Sequence, residues 1–118
     1  MKKTTICAVL VVAFAFGSPA YAGDLTDLVG TWEWEDFTID VEECGGTVCA
    51  TISDGPSNVG EEMFLTAPEE SGDGWTAEVM HPATGDTYYS QFTVDGDVWS
   101  MEGCTASGVC ASGDFIRI

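Results

Sequence analysis

TYYSQFTVDGDVWSMEGC, from Thr87 to Cys104, followed by TASGVCASGDFIRI to Ile118, alternates apolar and polar residues across two turn clusters. A residue period of two is the mark of a strand with one buried face. Asp95-Gly96 reads as a two-residue hairpin loop, which sets Phe92 opposite Trp99, Ser90 opposite Met101 and Tyr88 opposite Gly103. The next hairpin, between Cys104 and Cys110, sets Trp99 opposite Phe115 and Asp97 opposite Arg117. Three strands thus agree on one inward face, and a one-residue slip would turn every apolar side chain outward.

The same pattern extends upstream. Strands are expected over Thr31–Glu35, Phe37–Cys44, Val48–Ser53, Glu62–Thr66, Trp75–His81, Thr87–Val94, Val98–Cys104 and Cys110–Ile118, with the intervening turns carrying Gly, Pro, Asn, Asp or Ser. In the early hairpin Phe37, Ile39, Val41, Val48, Ala50 and Ile52 share one face, and Cys44 and Cys49 fall on the other. Asp24–Val29, with Leu25 and Leu28, reads as a short helical turn packed on a barrel end. The expected fold is all-β: a small antiparallel up-and-down barrel of about eight strands with that turn at its N-terminal side.

Lys2 and Lys3 precede an apolar run from Ile6 to Phe16, a break at Gly17-Ser18-Pro19, and Ala20-Tyr21-Ala22. This is the pattern of a signal peptide spanning residues 1–22, and it predicts export to the periplasm or beyond the cell. The run falls short of the roughly 20 residues a membrane span needs, so no membrane insertion is expected. Residues 23–118 then form one domain with four cysteines, Cys44, Cys49, Cys104 and Cys110, an even number suited to an oxidising space. Four cysteines allow three connectivities. Each pair flanks one tight turn, and the two turns fall at opposite barrel ends, which favours local bridges over crossed ones; a zinc site is the alternative, against which stand the absence of CxxC and the single His.

The mature domain carries one Arg and no Lys against 20 carboxylates, a formal charge of 1 − 20 = −19. Nucleic acid and anionic membrane are excluded as partners, because affinity for phosphate is built from Lys and Arg. Catalysis finds little support: two bridges would consume the thiols beyond residue 22, the sole imidazole, His81, sits on an apolar face, and the pairs Glu42-Glu43, Glu61-Glu62 and Glu69-Glu70 point to opposite sides of their strands. No catalytic residue and no cofactor is expected. Asp95-Gly96-Asp97 and Ser71-Gly72-Asp73-Gly74 offer oxygens for calcium, but neither has the spacing of a calcium loop, and Asp-Gly is an ordinary hairpin signal; no metal ligand is assigned.

The order Gly30-x-Trp32, Cys44-Gly45-x-x-Val48-Cys49, Pro82-x-x-Gly85-x-x-Tyr88, Gly103-Cys104 with Cys110, and Arg117 resembles the bacterial exported family called domain of unknown function 2147, over essentially the whole mature chain. The chain departs from that family at His81, where Asp is usual before the Pro, and at Asp54–Gly60, which lacks a longer Asn-Pro and basic segment. The resemblance implies a lipocalin-like barrel with no established activity. By resemblance to lipocalin-like barrels, Gly30, Trp32 and Arg117 are expected to form a structural signature, with the guanidinium across the Trp32 indole, donating to carbonyls of Asp24–Val29 and within reach of Asp97.

Two functions of different class follow. One is an envelope structural or interaction module acting through its exterior, with another envelope protein as partner. The other is a lipocalin-like binder of a small apolar ligand, its pocket lined by Trp34, Trp75, His81, Tyr88, Phe92, Trp99 and Phe115. Eight strands can either fill their interior or hold one small ligand, so the interior volume separates the two.

Overall fold

A computed structural model of the chain describes residues 24–118; the expected signal peptide lies outside the described residues. Leu25–Leu28 form a single 3-10 turn that buries Leu28 completely. Eight strands follow: β1 Gly30–Trp34, β2 Phe37–Cys44, β3 Thr47–Asp54, β4 Glu69–Ser71, β5 Gly74–Met80, β6 Thr87–Asp95, β7 Val98–Cys104 and β8 Cys110–Arg117. They make one antiparallel sheet in the order β3-β2-β1-β8-β7-β6-β5-β4. The first strand meets the last inside this sheet, with Trp32 opposite Arg117, and the sheet curls into a small barrel whose edge strands β3 and β4 are left open to each other. The period of two holds throughout: Phe37, Ile39 and Val41 of β2 and Val48, Ala50 and Ile52 of β3 are buried, as are Trp75, Ala77 and Val79 of β5.

Two expectations are corrected. The β6–β7 register is displaced by two residues: Val94 rather than Phe92 lies opposite Trp99, Phe92 lies opposite Met101 and Ser90 opposite Gly103. The loop is therefore Gly96-Asp97. Gly96 takes φ 62°, and glycine at the first loop position is what a II′ hairpin favours. A shift of two leaves every side chain on its expected face. The β7–β8 pairing of Trp99 with Phe115 stands as expected.

The second correction concerns Glu62–Thr66, which forms no strand of its own, while the edge strand β4 arises within the expected connection Ala67–Gly74. Glu61–Leu65 instead straddles the seam between β3 and β5. Met63 N donates to Ala50 O at 2.7 Å on one side, and Met80 N donates to Met63 O at 2.8 Å on the other. Isolated bridges join Thr51 to Glu62 and Phe64 to Val79. A regular ladder is interrupted because the Glu62 side chain takes over as acceptor: its Oε2 receives Ala50 N at 2.6 Å and Phe64 N at 3.2 Å.

Arg117 locks the β1–β8 closure. Its guanidinium carbon lies 4.3 Å from the Trp32 ring centroid. Nη1 donates to Val29 O at 2.9 Å, Nη2 to Asp27 O at 2.7 Å and to Gly96 O at 3.1 Å, and Nε to Asp97 Oδ1 at 3.1 Å. The Trp32 indole in turn donates from Nε1 to Leu28 O at 2.8 Å, so cation, ring and 3-10 turn form one unit. Gly30 is required beside it: its φ is 144°, and a Cβ there would come within 2.6 Å of Arg117 Nη1. Asp97 is 77% exposed, so its ion pair counts for little, and the stack and carbonyl bonds carry the clamp.

Arg117→Lys is expected to destabilise by about 1–3 kcal/mol, because an ammonium cannot stack and fork together; denaturant unfolding measures it, and an unchanged midpoint would rule the clamp out. A second comparison isolates the indole bond. Trp99 is as buried as Trp32, yet its Nε1 has no partner among the described residues. Trp32→Phe should therefore cost about 1–2 kcal/mol more than Trp99→Phe, since only the former strands an acceptor and weakens a cation–π contact.

Candidate functional site

The barrel end away from Arg117 holds the residues expected to line a pocket. Trp34 lies between Phe37 and Phe115, with centroids at 5.9 and 5.6 Å, and meets His81 edge-on at 5.4 Å. His81 in turn leans on Tyr88 at 5.3 Å. Trp34 can cover this mouth because β8 carries Gly113 beneath it, where a Cβ would lie 2.7 Å from Trp34 Nε1. The space left among Trp34, His81, Tyr88, Met101 and Phe115 is about 60 Å³. Drug-sized ligands occupy sites of roughly 300–1,000 Å³, so this remnant admits on the order of two waters.

The other expected lining residues are core. Trp99 stacks on Phe115 at 4.5 Å and meets Trp32 and Phe92 edge-on at 5.8 and 5.9 Å. Trp75 stacks on Phe92 at 5.7 Å. The inward rings expected to surround a pocket thus pack on one another. Phe64, from the seam segment, adds to this filling by stacking on Phe92 at 5.6 Å, a contribution the alternation of β6 alone could not reveal.

His81 is half-buried, and its Nδ1 accepts the Ala83 amide at 3.1 Å. Burial lowers its pKa below the ordinary 6.5, and the nearby Asp86 carboxylate opposes this in part. The folded protein therefore resists protonating His81, while the unfolded chain takes up the proton at its usual pH. The stability this group contributes is full above pH 6.5 and is lost as pH falls below it toward the lowered folded value. Thermal melts of His81→Gln should accordingly lose less stability than the parent over that interval; parallel pH profiles would contradict the assignment.

Larger hollows lie outside the barrel. Across β5–β8 the outward side chains fall in cross-strand rows: Glu78, Tyr89, Cys104 and Cys110; then Thr76, Gln91, Glu102 and Ser112; then Thr93, Ser100 and Asp114. A strongly twisted sheet is hyperboloid, hence hollow along one diagonal, and over Cys110–Asp114 β8 adds only short side chains to that face. Two adjoining depressions result, of about 860 and 560 Å³, sharing Gln91, Glu102 and Ser112. Gln91 Nε2 donates to Glu102 Oε2 at 2.9 Å, and Tyr89 is 55% exposed. Apart from Cys104 and Cys110, these residues each read in the sequence as ordinary solvated positions. Their signal is the run of short outward side chains Ser100, Cys104, Cys110 and Ser112.

The cysteines pair locally, Cys44 with Cys49 and Cys104 with Cys110, one pair at each barrel end. Two disulfides point to an oxidising, extracytoplasmic space. Each closes a loop of only 5 or 6 residues in sequence separation, which limits its loop-entropy contribution to about 2 kcal/mol. Among the described residues no three His, Cys, Asp or Glu side chains converge on a metal-sized site, and no helix is long and apolar enough to cross a membrane. Of the turns considered for calcium, Asp95-Gly96-Asp97 gives its Asp97 carboxylate to Arg117, and Gly72-Asp73 forms the loop between β4 and β5. Comparisons with protein-family models, with curated proteins and with solved structures find no match.

Proposed function

We propose that this chain is an exported, non-catalytic interaction module of the periplasm or the extracellular medium, acting through the outside of its barrel. The observation that carries the reading is the contrast in volume: about 60 Å³ inside against about 860 Å³ on the outer face of β5–β8. A lipocalin-like binder needs the reverse. Outward apolar residues add to this picture, since Val98 and Ile116 pair across β7 and β8 and are 36% and 46% exposed. The non-catalytic assignment is supported by chemistry: the thiols of the described residues are consumed in disulfides, Arg117 is engaged in the clamp, and His81 packs edge-on against Trp34. Membership of the exported family called domain of unknown function 2147 is part of the proposal, supported by the joint placement of Gly30, Trp32 and Arg117 and by the two cysteine hairpins.

Native mass spectrometry of the protein, purified without denaturant from the organism's own envelope or medium, tests the reading. The expected spectrum shows the unliganded mass or a complex with another protein. A stoichiometric apolar small molecule, released only on unfolding, would overturn it in favour of the ligand binder.

A further inference from the structure

We infer that the outer groove of β5–β8 receives an extended, Lys- or Arg-rich segment of a partner protein. This inference rests on the exterior-module reading and names its partner chemistry. Five carboxylates line the two depressions, Glu69, Glu78 and Glu102 in the larger and Asp73, Glu102 and Asp114 in the smaller, and among the described residues no basic side chain does. Among the described residues the sole permanent cation is Arg117, which is held in the clamp on the inward side of β8. The charge of this face is therefore left without an internal partner.

Charge complementarity decides the occupant. A second copy would bring another 20 carboxylates and one committed Arg to the face, which repels at contact distances. A bare metal ion does not suit it, because the carboxylates are spread out: three inter-strand steps separate Glu78 on β5 from Asp114 on β8, about 14 Å at the usual strand spacing. The rows themselves recur every two residues along the strands, about 6.8 Å apart. A polypeptide laid along the strands presents alternate side chains at that same interval, so basic residues at every second position meet successive rows, and the long Lys or Arg side chains reach sideways to Glu78 on β5, Glu102 on β7 and Asp114 on β8. The face also offers groups that recognise more than charge. The exposed ring of Tyr89 can take a cation on its face, and Gln91 and Ser112 can bond a passing backbone.

The test uses a labelled octapeptide alternating Lys and Ser, titrated into the purified protein and followed by fluorescence anisotropy. Binding is expected to weaken as salt rises. The double variant Glu78→Gln/Glu102→Gln should weaken it roughly five- to ten-fold, whereas Glu42→Gln/Glu43→Gln, equal in charge and on β2, should leave it within about two-fold. Amide shifts of the unmodified protein should move at Tyr89, Gln91 and Ser112, which keeps the test independent of any variant's folding. Equal weakening by both double variants, shifts scattered over the whole surface, or no binding would overturn the groove while leaving the exterior module standing. Spermidine binding as tightly as the peptide would overturn the polypeptide assignment. A co-purified apolar ligand would instead defeat the parent reading.

Discussion

A single guanidinium holds this fold closed. Arg117 presents a flat cation to Trp32 and distributes its donors over the carbonyls of Asp27, Val29 and Gly96. It thereby ties together the N-terminal turn, the first strand, the last strand and the β6–β7 loop. A partly buried charge is tolerable only when its donors are satisfied, and here nearly all of the satisfaction comes from backbone, which no side-chain substitution nearby could supply. Gly30 follows from the same requirement, since any Cβ would occupy the space of Nη1.

Closure at that end permits the aromatic filling at the other. With the strands held around a core of Trp32, Trp99, Phe92 and Phe115, the remaining volume is taken by Trp34, which lies across the mouth on the bare backbone of Gly113. A barrel so packed has little interior left for recognition. Its variety of surface chemistry is outside, where the twist of the sheet and the short side chains of β8 make a hollow of several strands' width.

Much of this was legible from residue alternation. The inward faces of β2, β3, β6, β7 and β8, the outward cysteines and their local pairing all follow from a period of two combined with turn residues, because burying one face admits only one parity. The β6–β7 register differs by two because Asp95-Gly96 and Gly96-Asp97 are both acceptable loops; Asp95 does not take the positive φ that a type I′ Asp95-Gly96 loop requires, and Arg117 draws on the Gly96 carbonyl from a distant strand. Glu62–Thr66 has the composition of a strand, yet its backbone is shared between two edges and its Glu62 carboxylate displaces a ladder bond, a long-range event that local pattern cannot register. The outer groove was hidden for a different reason. Concavity belongs to the twist of several strands together, and polar residues facing outward look alike in sequence whether the surface beneath them is flat or hollow.

The division between local and distant contacts also bears on the order of assembly. The hairpins β2–β3, β6–β7 and β7–β8 join neighbours in sequence, and two of the three are stapled across their turns. The clamp joins Arg117 to Val29, 88 residues away, and loop-closure entropy must be met before such a contact contributes anything. Loop-closure entropy alone places ring closure after formation of the hairpins in the expected order of folding. In the finished molecule the weakest line is the seam, where Glu61–Leu65 offers each edge only a few bonds. Amide hydrogens along Ala50 and Met63 should exchange with solvent through partial openings long before those of the β7–β8 ladder, whose release requires the whole barrel to come apart.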